Sequence, residues 1–135
     1  MTDRILITGA TGFIGRHLVR RLVAGSGSPA APAVRTGATG RFPDAAPEVP
    51  VSSTVRTGAA LRALVRPGRD TAELAALGVE LAVGDVTDWD SVRAAVDGCH
   101  RVVHLANLYS LWERDPSVYW RVNVEGTRRV AQAAA

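Results

Sequence analysis

The stretch RILITGATGFIG, residues 4 to 15, narrows the choice of fold more than any other part of the chain. A β-rich apolar run from Arg4 to Thr8 ends at Gly9, and two more glycines follow at intervals of three, Gly12 and Gly15. Directly behind them, FIGRHLVRRLVA (13 to 24) sets Ile14, Leu18, Leu22 and Val23 on one side and Arg16, Arg20 and Arg21 elsewhere, the period of an amphipathic helix. The spacing predicts a strand, a tight glycine turn and a helix halted by Gly25.

The same alternation returns after an interruption. ALRALVR (60 to 66) reads as a strand, and DTAELAALG (70 to 78) as a helix capped by Asp70 and ended by Gly78. VELAVGD (79 to 85) reads as a third strand, and DWDSVRAAVDG (88 to 98) as a helix whose opening acids suit its positive end. RVVHLA (101 to 106) is a fourth strand, followed by the loop NLYSLWERDP and a last helix starting near Ser117. Strand and helix alternate four times, which implies an α/β fold with βαβ units, a parallel sheet and helices on both faces. The interruption, Gly25 to Gly58, holds five of the seven prolines and the near-repeat VRTGAT/VRTGAA. Such composition buries too little surface to offset chain entropy, so a disordered Gly/Pro/Ala-rich insertion is expected at about 26–58.

A chain of 135 residues has room for one domain. Its 47% apolar and 21% charged residues are ordinary for a soluble globular protein. No apolar run is long enough to span a bilayer, and the N-terminus lacks the pattern of a secretory signal. The single cysteine, Cys99, forms no internal disulfide and fits a cytoplasmic location. All sixteen basic residues are arginine, so no lysine base, Schiff base or phosphate-binding lysine exists in the sequence. The arginines are scattered among acids, which favours solvated surface charge over a nucleic-acid surface.

Between a strand and a helix, a glycine-rich turn lets backbone approach a pyrophosphate while the helix start offers free N–H groups and partial positive charge. Gly9 would make the turn, Thr11 and Gly12 would flank the phosphates, and Gly15 would let helix pack on strand. The N–H groups of Phe13 and Ile14 would be the donors. The alternative is an ordinary βα turn, but the full alternation around it favours a dinucleotide.

The spacing T-G-x-x-G-x-x-G, together with ALVRPGRD, VELAVGDVTDWDSVRAAVDGC, VVHLA and VYWRVNVEGTRRV, resembles the extended short-chain dehydrogenase/reductase family, the NAD(P)-dependent epimerases, dehydratases and reductases. It is most similar to the dihydroflavonol-reductase-like branch, which includes bacterial sugar-epimerase-like members. The resemblance covers 1 to 24 and 60 to 135. It implies a partial Rossmann fold, with four strands in order 3-2-1-4, and makes residues 1–135 an NAD(P)-binding half-domain.

In a Rossmann unit an acid at the end of the second strand binds a free 2′-OH, whereas arginine accommodates a 2′-phosphate. Here Arg66 and Arg69 stand there, so NADP is expected, with NAD the alternative; solvated loop arginines are the competing account. The family pattern implies an adenine contact for Asp85 with Val86 beside the ring, the alternative for Asp85 being a turn acid. It also places the backbone of Leu105, Ala106 and Asn107 near the nicotinamide ribose; Asn107 stands where the family usually has alanine. His104 lacks neighbours at ligand spacing and reads as a packed, hydrogen-bonded histidine. Asn123 resembles a family asparagine that bonds main chain near the cofactor strands. Tyr109, Trp112, Tyr119 and Trp120 border a substrate pocket or serve as core and interface aromatics.

Family enzymes use a Tyr-x-x-x-Lys pair for proton transfer. Tyr109 is followed at the fourth position by Glu113, and Tyr119 by Asn123. The expectation is therefore an N-terminal cofactor-binding part of a reductase or epimerase acting on a carbonyl or sugar-type substrate, truncated before the catalytic segment and inactive alone. Its partners would be a dinucleotide and, in a full-length form only, a small-molecule substrate, with no nucleic acid and no membrane. The open fourth strand admits association into a homo-oligomer. A non-catalytic dinucleotide-binding or sensor module is the alternative, and a protein using its Pro-rich insertion as a ligand ranks last.

Overall fold

In the computed structural model, residues 3–24 and 59–135 are described. The expected insertion, its near-repeat and Gly25 as a helix stop lie outside the described residues. Four strands form one parallel sheet: β1 (Arg4–Thr8), β2 (Ala60–Val65), β3 (Glu80–Val83) and β4 (Arg101–His104). Their order across the sheet is β3-β2-β1-β4, as the family resemblance implied. Register pairs Leu6 of β1 with Arg62 on one side and Val102 on the other.

Period-two geometry divides β1 between two cores. Ile5 and Ile7 pack with Val19 of helix α1 (Phe13–Val23) and Leu74 of α2 (Ala72–Ala76), while Leu6 faces Val92 of α3 (Trp89–Val96) and Val130 of α5 (Thr127–Ala134). Helices thus cover both faces, and the central strand is apolar without alternation because neither of its faces meets water.

Helix α1 corrects the expected apolar stripe. Its sheet-facing positions are Gly15, Leu18, Val19 and Leu22, an i, i+3, i+4, i+7 series, whereas Ile14 is 67% exposed and Val23 41% exposed. A glycine occupies the point of closest approach, and hydrophobic periodicity cannot see a glycine as a contact. Strands β3 and β4 are also shorter than expected, ending before Gly84 and Leu105. Gly84 N and Leu105 N still donate to Val65 O (2.9 Å) and Thr8 O (3.1 Å) of the neighbouring strands.

Capping follows the sequence closely. Asp70 Oδ1 accepts from Ala72 N (3.1 Å), and Gly78, with φ +74°, donates to Ala75 O (3.0 Å). Asp88 Oδ2 accepts from Ser91 N (3.0 Å) at the start of α3. The Ser91 hydroxyl and amide bonds hold the Asp88 carboxyl below its ordinary pKa.

One arginine departs from the expectation of solvated charge. Arg62 of β2 is largely buried, and its Nη1 donates to Ala95 O (2.8 Å) and Asp97 O (2.7 Å) while Nε donates to Glu80 Oε1 (3.0 Å). A cation thereby meets the orphan carbonyls and negative end of α3, which offsets the cost of burying it.

The C-terminal helix is continuous but not regular. After α4 (Ser117–Tyr119) the chain winds as a π-helix from Trp120 to Gly126 before α5. Dihedrals at both junctions stay right-handed helical, so the axis runs on unbroken. Among the described residues no helix is long and apolar enough to cross a membrane.

Candidate functional site

The ends of the parallel strands, where chain leaves the ladder, surround a cleft of about 280 Å³. Its first wall is the turn after β1. Gly9 has φ +73°, a left-handed conformation that side chains disfavour. A Cβ there would lie 2.6 Å from Leu105 C and 2.7 Å from Ala106 N, so the turn also presses against the chain leaving β4. Gly12 N donates to Gly9 O (3.0 Å), which closes the turn. Gly15 does not line the cleft; it packs beneath the turn, where a Cβ would lie 2.1 Å from Gly9 O.

Thr11 and Gly12 do line the cleft. Gly12 is the N-cap of α1, makes no side-chain cap, and no acid occupies the first turn. Among the described residues the N–H groups of Phe13 and Ile14 meet no protein acceptor. Their side chains are exposed rather than part of the cleft. Arg16, not among the expected site residues, braces this wall: Nε donates to Thr11 O (3.0 Å) and Nη1 reaches Glu73 Oε2 (3.4 Å).

Arg66 and Arg69 form the second wall, both exposed on the cleft and, among the described residues, neither paired with an acid. The third wall holds Asp85 and Val86. Asp85 Oδ1 accepts from Thr87 N and Thr87 Oγ1, each at 2.8 Å, so the turn-acid role is present and Oδ2 is left over. Val86 is buried against Gly126, where a Cβ would lie 3.0 Å from Val86 Cγ2. A side chain at Gly126 would press on the Val86 methyl, which would have to give by a few tenths of an ångström.

Leu105, Ala106 and Asn107 make the fourth wall. The Asn123 amide spans the main chain of Leu108, accepting from its N at 2.8 Å and donating to its O at 3.1 Å. Bonding of main chain near the cofactor strands, expected for Asn123, is what the geometry has. Leu64, Val65, Gly84, Leu108, Val118 and Val122 also line the cleft and were missed. Val118 and Val122 stand at i, i+4 on the last helix, a signal the sequence carried. Leu64, Val65 and Gly84 lie at strand ends, where only the ladder's length decides what becomes wall, and Leu108 lies in the loop after β4.

His104 is the packed, hydrogen-bonded residue expected, and burial holds its pKa below the ordinary 6.5. No metal-ligating group of three is found among the described residues. Tyr109, Leu111, Trp112 and Trp120 are exposed rather than core; Tyr119 is partly buried and donates its hydroxyl to Ser110 O.

Comparison with known proteins agrees with this architecture. The NAD dependent epimerase/dehydratase family model matches residues 5–135. A Synechocystis protein named provisionally as a dihydroflavonol 4-reductase is 31% identical over 134 residues, covering 99% of this chain and 29% of its own length. Sterol demethylase protein B of Methylococcus capsulatus is 33% identical over 129 residues, covering 96% of this chain and 30% of its own. A crystal structure of a short-chain dehydrogenase/reductase superfamily protein from Agrobacterium tumefaciens with bound NAD superposes with a TM-score of 0.64 at 26% identity, over 98% of this chain and 29% of that one. The chain therefore spans about 30% of the length of the curated relatives it matches. With the order of the sheet, the glycine turn and this match in hand, the chain belongs to the NAD-dependent epimerase/dehydratase family.

Proposed function

We propose that the cleft binds a nicotinamide dinucleotide and that residues 1–135 are the cofactor-binding part of a reductase or epimerase acting on a carbonyl or sugar-type substrate. The observation that carries this reading is the uncapped start of α1. Its first amides open beside Gly12, whose missing side chain leaves the approach clear. Helix dipole and free N–H groups together favour a phosphate there.

The remaining walls fit the same ligand. Arg66 and Arg69 would meet a 2′-phosphate, which favours NADP over NAD. The free Oδ2 of Asp85 would accept from an adenine amino group, with Val86 beside the ring. Leu105, Ala106 and Asn107 would border the nicotinamide ribose. When bound, such a cofactor supplies hydride transfer. The chain's own residues bind and orient it; with no lysine among the 135 residues, the Tyr-x-x-x-Lys proton relay of the family has no place within them.

Titration with NADP and NAD tests the assignment. Gly12→Asp should weaken dinucleotide binding about 100-fold, roughly 2.7 kcal/mol, by setting a carboxylate against the phosphates. Its melting temperature should stay close to that of the parent, because Gly12 is exposed and a Cβ there meets only Gly9 O, at 3.3 Å. Unchanged affinity in the variant removes the phosphate site from this turn.

A further inference from the structure

Beneath the cleft runs a chain of hydrogen bonds in which every proton can be placed. The Thr127 hydroxyl donates to Asn123 O (2.7 Å), so its oxygen must accept from His104 Nε2 (3.0 Å). That leaves Nδ1 without a proton, and the Thr8 hydroxyl, fully buried, donates to it (2.6 Å). The Thr8 hydroxyl oxygen in turn accepts from Ala106 N and from Leu105 N, both at 3.2 Å, and Leu105 N is shared with the Thr8 carbonyl oxygen at 3.1 Å. These two amides belong to the segment that presses on Gly9. The glycine turn, the floor of the cleft and the last helix are joined through one imidazole.

We propose that His104 is a positioning residue: as the neutral Nε2–H tautomer it ties Thr8 to Thr127 and fixes the Leu105–Ala106 floor, and a second proton on the ring releases that floor. A proton at Nδ1 would point at the Thr8 hydroxyl, which already gives its hydrogen to that nitrogen and receives two amides. One of those bonds must be given up. Among the described residues no acid pairs with the ring to compensate an imidazolium. From β1 the ring faces Thr8, and from α5 it faces Thr127. The charges on the surrounding elements are engaged elsewhere: Arg4 with Glu80, Arg101 with Asp3, Arg121 with Asp115, Arg128 and Arg129 with Glu125. Burial lowers the ring's pKa without help from any charge. The unfolded chain therefore binds the extra proton more readily, and the clamp's contribution to stability is full above 6.5 and lost as pH falls below it towards the folded value.

The effect on a ligand rests on the proposed dinucleotide site; the clamp itself does not. NMR on the full chain separates the two. Ring ¹⁵N signals should show the Nε2–H tautomer at neutral pH, and the amide resonances of Leu105 and Ala106 should move as the ring titrates. NAD, which has no 2′-phosphate to titrate, should bind about tenfold more weakly at about pH 5 than at about pH 7.5. In His104→Asn, which can still accept from Thr8 but cannot take a proton, both the amides and the affinity should be flat over that range. Thr127→Val, a change at an exposed residue outside the cleft lining, should allow the ring's Nδ1–H tautomer to appear, and Thr127→Ser should suppress it again. An Nδ1–H tautomer in the parent, or Leu105 and Ala106 amides indifferent to the ring, overturns the clamp. Absence of NAD binding at both pH values overturns the cleft reading, and the amide response then decides the clamp alone.

Discussion

The turns after β1 and after β4 reach the same cleft by different physical routes. The first is shaped by what is missing: Gly9 supplies a left-handed φ, and Gly15 lets backbone lie where a Cβ would be 2.1 Å from Gly9 O. The second is shaped by what is present, since Thr8, His104 and Asn123 hold the main chain of Leu105, Ala106 and Leu108 by side-chain hydrogen bonds. A wall built from absent atoms tolerates no addition at Gly9 or Gly15, where a Cβ would meet backbone. A wall built from hydrogen bonds weakens by degrees.

Adding one methyl group at Gly15 is the hardest test of that difference. Gly15→Ala forces the α1–turn contact apart against backbone atoms that cannot rotate away. The expected cost exceeds about 3 kcal/mol, measured as a lowered midpoint in urea unfolding. A variant of parental stability would mean that the turn can shift bodily and that the first wall is no more rigid than the second.

Asn123→Ala probes the wall after β4. Both polar groups of Leu108 lose their partner while partly buried, which should cost about 2 kcal/mol and leave a folded protein with a looser segment after β4. Asn123→Asp keeps the acceptor for Leu108 N and loses the donor to Leu108 O, so it should fall between the parent and the alanine variant. Equal losses in the aspartate and alanine variants would show that the amide acts as a unit and not as two separable bonds.

The same contrast explains what could be read from the sequence. Glycines at fixed spacing, an apolar run and a helical period are local, and they located the first wall, the four strands and the caps at Asp70 and Gly78. Non-local features were out of reach. Nothing near Arg62 in sequence says that it will meet the carbonyls of Ala95 and Asp97 across the sheet. Nothing near Trp120 announces a π-helical turn, although Gly126 against Val86 shows what that turn accommodates. The apolar stripe of α1 was misplaced because Ile14 looks like a core residue and Gly15 does not. The residue types at the strand ends were legible, and the point at which each strand stops was not.

The smallest expected effect concerns the charges of the wall after β2. Arg66 and Arg69 are exposed, so water and salt screen them, and each is worth less than a buried cation. If they meet a 2′-phosphate, the double variant Arg66→Ala/Arg69→Ala should lose about tenfold in NADP affinity, near 1.4 kcal/mol, and less than twofold for NAD. The difference between the two cofactors should shrink with added salt, because only NADP carries the extra charge. Equal losses for both cofactors would put the arginines on the shared pyrophosphate, and no loss for either would make them solvated loop residues. Gly12→Asp is blind to this distinction, since the phosphates it repels are common to NAD and NADP. If the glycine turn holds the pyrophosphate, selection between the two cofactors has to come from side chains, and among the described residues Arg66 and Arg69 are the cations without an acidic partner that line the cleft.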